Sequence, residues 1–145
     1  MLGKPLTAEQ RLQKAVIDIT AKDRYRALTG VLMIGEKRVS DNEAECPTAY
    51  TDGKNEVYGR AFVDSLNDAE LRFLVLHEVK HKMYKHLTTW QHLWREDAQL
   101  ANQACDFVIN AEIVDENADG FAAMTGELTK GCYDAKYLGW DSARV

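Results

Sequence analysis

Apolar positions recur at helical spacing in three stretches of this chain, with short apolar runs between them. Leu12, Ala15, Val16 and Ile19 follow Thr7-Ala-Glu-Gln10, whose ends can exchange capping hydrogen bonds, and the pattern predicts a helix over residues 8–22. The run Gly30-Val-Leu-Met-Ile-Gly35, bracketed by glycines, reads as a short buried strand. Residues 36–45 are polar and read as a surface loop, and residues 46–53 as extended chain turning at Asp52-Gly53. Residues 55–63 form a further strand candidate, with Val57, Tyr58, Phe62 and Val63 as its buried points.

The longest uninterrupted pattern covers residues 68–87, which contain no Gly or Pro. Asn67-Asp-Ala-Glu70 supplies a capping box, and Asp68 and Glu70 suit the positive end of the helix dipole. Leu71, Leu74, Val75, Val79, Met83 and Tyr84 mark a buried side, and Phe73-Leu-Val-Leu76 is apolar throughout, so this helix is expected deep in the core. Trp90 and Trp94, with His92 between them, fall in a loop or frayed turn and read as packing residues. Another helix is predicted over residues 95–115, with Ala98, Ala101, Cys105, Val108, Ile109 and Ile113 on its apolar side. Beyond it, Gly120, Gly126, Gly131 and Gly139 break the chain into short pieces. Asp141-Ser142 starts a helix with no room to continue, as in a frayed end or a fragment of a longer protein.

The sum is an α+β domain, a small mixed sheet packed on helices, with residues 1–145 forming one domain by size. Apolar residues make up 46% of the chain and charged residues 28%, ordinary values for a globular protein. A net charge of −5 and dispersed lysines and arginines argue against a nucleic-acid partner, and no apolar run is long enough to span a bilayer. The first five residues lack the apolar core of a signal peptide. Cys46, Cys105 and Cys132 form no close-spaced pair, and an odd count fits a reducing compartment, so the cytoplasm is expected.

Candidate chemistry sits in the long helix as His77-Glu-Val-Lys-His81. Histidines four apart project about 40° from one another around a helix axis, close enough to grip one cation. Glu78 lies about 100° from His77, where its carboxylate can stand beside a metal as general base without joining its ligands. Catalytic zinc usually takes three protein ligands. Asp106, on the following helix, is the favoured third ligand, with Asn102 and Asn110 one turn either side to hold its carboxylate or cap the cleft. His86 is the rival; it lies about 180° from His77 on a continuous helix and would need a break near Tyr84-Lys85. A strand over residues 55–63 beside the cleft would be either a backbone partner for extended substrate or an ordinary edge strand.

Thr51-Asp52-Gly53, Phe62-Val-Asp-Ser-Leu66, Leu76-His-Glu-Val-Lys-His81 with His86, and Ala104-Cys-Asp-Phe-Val-Ile-Asn110 together resemble a family: the metallopeptidase domain found N-terminal to VWA-like domains in bacterial and phage proteins. That family shows HExxHxxxxH followed by Asp-x-x-Ile-Asn, and the likeness extends over roughly residues 45–145, with residues 133–140 resembling its downstream segment. The resemblance implies a zincin-like fold, Zn2+ as cofactor, a peptide or protein substrate, and a VWA-like partner domain. Lys80, Lys82 and Lys85 stand where the family tends to be apolar, which predicts a more exposed face. The expected mechanism is hydrolysis of a peptide bond by a zinc-activated water, with Glu78 as base and His92, Tyr84 or Tyr133 as a further donor to the oxyanion. The alternative is a non-catalytic metal-binding or interaction module on the same scaffold.

Overall fold

The computed structural model describes residues 5–86, 98–126 and 128. It is a mixed α+β fold in which a three-stranded sheet packs on helices. Helix α1 (Ala8–Thr20) begins at the predicted capping box: Thr7 Oγ1 accepts from the Gln10 amide and the Gln10 side chain accepts from the Thr7 amide. Leu12, Ala15 and Ile19 are buried, as their spacing requires. A 3-10 helix (Asp23–Leu28) and a single turn, α2 (Thr29–Leu32), follow. Strands β1 (Lys37–Ser40), β2 (Ala49–Thr51) and β3 (Glu56–Gly59) form the sheet, and α3 (Arg60–Asp64) leads to α4 (Asp68–His86) and α5 (Ala98–Glu116).

The sheet order is β1-β3-β2, with β1 parallel and β2 antiparallel to β3. Three expectations change here. The 30–35 run is not a strand. Val31 and Leu32 are buried at a helical turn, while Met33 and Ile34 are exposed. A short apolar run between glycines carries no period that separates strand from buried helix. The turn is held by two ammonium groups, Lys37 Nζ donating to the Leu32 carbonyl at 2.6 Å and Lys82 Nζ to that of Ile34 at 2.8 Å. Gly35 then reverses the chain at φ +71°, where a Cβ would overlap the Lys54 carbonyl.

The polar stretch expected as a loop contains β1, because Lys37 and Ser40 find polar partners within the fold. The strand expected over 55–63 stops at Gly59, and Arg60 opens α3. A Cβ on Gly59 would stand 2.5 Å from the Cys46 carbonyl oxygen, so only glycine permits this close crossing. β3 is also the central strand, so both of its edges are taken and it cannot pair with substrate.

Helix α4 packs on α1, α2, α5 and β2 and is buried almost all round. Its N-terminus carries the predicted box: Asn67 Oδ1 accepts from the Glu70 amide, and Glu70 Oε1 accepts from the Asn67 amide, both at 2.8 Å. The segment after α5 folds back onto this end. The Ala123 amide donates to the Ala69 carbonyl, Thr125 Oγ1 donates to Glu70, and Arg72 Nε donates to the Phe121 carbonyl. Leu71, Val75, Leu76 and Val79 meet Ile109 and Ile113 of α5 within the same core.

The lysines were expected to leave this face exposed; instead Lys80 and Lys82 are buried. Lys80 reaches Glu112 and Glu116 on α5. Lys82 reaches Glu56, a carboxylate fully buried on β3, which also takes Lys37 at 3.1 Å and the Tyr58 hydroxyl. Buried charges persist only when paired in this way. Among the described residues no helix is long and apolar enough to cross a membrane. Trp90, His92, Trp94, Cys132, Tyr133 and residues 133–140 lie outside the described residues.

Two outcomes follow. Glu56→Gln leaves the buried Lys82 ammonium and the partly buried Lys37 ammonium without their counter-charge and should cost about 3–5 kcal/mol in urea unfolding. At the surface, the Arg60 guanidinium holds the Glu9 carboxyl down to about 2. A depressed folded-state pKa stabilises above the ordinary carboxylate range and is lost as pH falls through about 2. An NMR titration should place the Glu9 midpoint there, and Arg60→Ala should return it to about 4.3.

Candidate metal centre

Two neighbouring helices build the site. His77, Glu78 and His81 come from α4, and Asp106 and Asn110 from α5. Helical spacing puts His77 and His81 one above the other, with ring centroids 4.6 Å apart and planes inclined at 68°. Packing of α5 against α4 brings Asp106 opposite them. Its Oδ1 lies 2.5 Å from His81 Nε2 and 3.1 Å from His77 Nε2. One ligand atom from each of the three residues lies within 4.8 Å of the others.

On the far side of its ring, His77 Nδ1–H donates to Asn110 Oδ1 at 2.6 Å. Asn110 is buried. The bond assigns a proton to Nδ1 and turns Nε2 toward the carboxylate, where an Nε2 proton bridges to Asp106 and a bound cation would take that proton's place. Asn110 therefore steadies an imidazole, where its four-residue spacing from Asp106 suggested a role in holding the carboxylate or capping the cleft.

The electrostatics favour a cation. Burial opposes a charged His77, but the hydrogen bond to Asp106 and the charges of Glu78 and Asp106 outweigh it and raise its pKa. Burial likewise opposes an ionised Asp106, yet the hydrogen bonds from His77 and His81 hold its carboxyl well below the usual range. Two imidazoles and one ionised carboxylate converge on a point where His81 is buried and His77 and Asp106 are partly exposed. Nitrogen and oxygen donors about 2.0–2.2 Å from a tetrahedral zinc sit about 3.3 Å apart, so modest opening of the 2.5 and 3.1 Å contacts admits such an ion. The donor set fits a divalent metal.

Glu78 is buried beside this group. After burial itself, its negative charge is the next influence raising the Cys46 thiol pKa, and it adds to that of the Tyr58 hydroxyl. The charge of Glu78 is thus felt at Cys46 and Tyr58 as well as at His77. Nothing in the spacing of Cys46 or Tyr58 marked this influence; the sheet that carries Tyr58 meets α4 through β2. His86 ends α4, which runs unbroken from Asp68, so the backbone break it would need to approach His77 is absent. The side chains of His86, Tyr84 and Asn102 lie outside the described residues.

The family described as "Putative metallopeptidase domain" matches residues 7–145. No curated protein and no solved structure matches the chain.

Zinc titration by calorimetry should reach one equivalent. Asp106→Ala should abolish tight binding, and Asn110→Leu, which frees the His77 ring, should weaken it about 10–100-fold.

Proposed function

We propose, for a chain that belongs to this metallopeptidase-domain family, that it is a zinc-dependent peptidase with a zincin-like fold. The observation that carries the reading is the convergence of His77, His81 and Asp106 on one point, with Glu78 next to His77 on the same helix. His77 Nε2, His81 Nε2 and an Asp106 oxygen would hold the ion. The unbroken helix favours Asp106 over His86 as the third ligand. When bound, zinc supplies Lewis acidity, which polarises a peptide carbonyl and acidifies a nearby water.

The chain's own groups supply the rest. Glu78 accepts the proton of the attacking water and returns it to the leaving amine. Asn110 keeps the His77 ring in one tautomer through both steps. Asp106 stays ionised throughout, held so by the two imidazoles. Substrate backbone would lie along β2, the edge strand that packs on α4, in place of the central β3. The resemblance to domains preceding VWA-like modules supports a VWA-like partner as the means of bringing substrate to the site.

Glu78→Gln should lower hydrolysis of a quenched fluorescent peptide library by at least about 100-fold, the scale of a lost general base, with zinc content unchanged. Full activity in that variant would leave a metal-binding interaction module as the better reading. Dialysis against a chelator should abolish activity, and zinc should restore it.

A further inference from the structure

At the sheet edge opposite β2, a groove of about 600 Å3 runs between α1 and the α2–β1 segment. Its walls include Leu12, Val16 and Ile17 on one side and Leu32, Met33 and Val39 on the other. Ile17 and Met33 are 65% and 67% exposed, unusual for large apolar side chains flanking one cleft. The volume falls within the range of ligand sites.

Two further features say what fits there. β1 pairs only with β3 among the described residues, so its other edge offers unpaired backbone groups beside the groove. Such an edge is completed by an extended peptide. The groove also carries an unbalanced charge. Lys37 lines it, and Lys37 and Lys82 share the single carboxylate of Glu56. Two ammonium groups against one carboxylate leave a positive excess, which the Leu32 and Ile34 carbonyls offset only in part. Lys37 Nζ has three protons, of which Leu32 and Glu56 take two. Glu9, the acidic residue of the groove, is already neutralised by Arg60.

We propose that this groove binds the C-terminal end of a peptide whose last residue is apolar. The peptide backbone extends the sheet at β1, its apolar side chain enters between Val16 and Leu32, and its terminal carboxylate meets Lys37. This site is separate from the candidate metal centre and does not rest on the peptidase reading.

The test uses the full chain with pools of fluorescein-labelled hexapeptides ending in Leu, Ile, Val or Phe, prepared as free acids and as C-terminal amides. Fluorescence anisotropy should show saturable binding of the acids and at least tenfold weaker binding of the amides. Ile17→Glu and Met33→Glu, both at exposed positions and therefore compatible with folding, should each weaken binding of the acids at least tenfold. Lys37→Met should remove the preference for acid over amide. NMR shifts on peptide addition should centre on the amides of residues 37–40. Equal binding of acids and amides, absence of saturable binding, or displacement of peptide by decanoate at equal affinity would each overturn the proposal. A self-associating protein that Ile17→Glu converts to monomer would overturn it too, by identifying a second copy as the occupant. Glu78→Gln should bind the acids like the unaltered chain, so loss of the peptidase reading leaves this one standing.

Discussion

One carboxylate oxygen between two imidazoles organises the centre of this molecule. Asp106 Oδ1 meets both His77 and His81, and it does so because α5 lies against α4 in a shared apolar core. The contact places three candidate ligand groups on two packed helices, and Leu76, Val79, Ile109 and Ile113 of those helices belong to one apolar core. A site on packed helices is held more rigidly than one on loops, which matters when donor atoms must sit within fractions of an ångström.

Around that contact the structure buries an unusual amount of charge. Lys80 bridges to α5 through Glu112 and Glu116, and Lys82 bridges to the sheet through Glu56. These pairs flank His81 in sequence and tie its helix to both neighbouring layers. Buried ion pairs add little net stability over apolar packing, but they penalise wrong rotations of a helix severely. An almost uniformly buried helix such as α4 has no polar face to set its rotation. A rotation of α4 would leave the Lys80 and Lys82 ammonium groups buried without their carboxylates.

The match of the chain to the family described as "Putative metallopeptidase domain" and the convergence of its donors support one reading. The first concerns the order of residues along the chain, the second their distances in space. Glu78 joins them: its place beside His77 is set by helical geometry, and its charge acts on Cys46 and Tyr58 as well as on His77.

Local signals determined the long helices. Capping boxes at Thr7 and Asn67, uninterrupted apolar periods, and histidines four apart depend on interactions within one or two turns, so they can be read without knowing the fold. Asp106 was a candidate from its place on the following helix, and its meeting with His77 and His81 comes from the packing of that helix on α4. Tertiary structure decided the rest. It made the 30–35 run a turn, because two distant lysines take its carbonyls, and it made β1 from a polar stretch, because Lys37 finds Glu56. It put β3 at the centre of the sheet and gave Asn110 to His77. Each outcome rests on partners far apart in the chain, and hydrophobic periodicity carries no information about which buried charge will meet which.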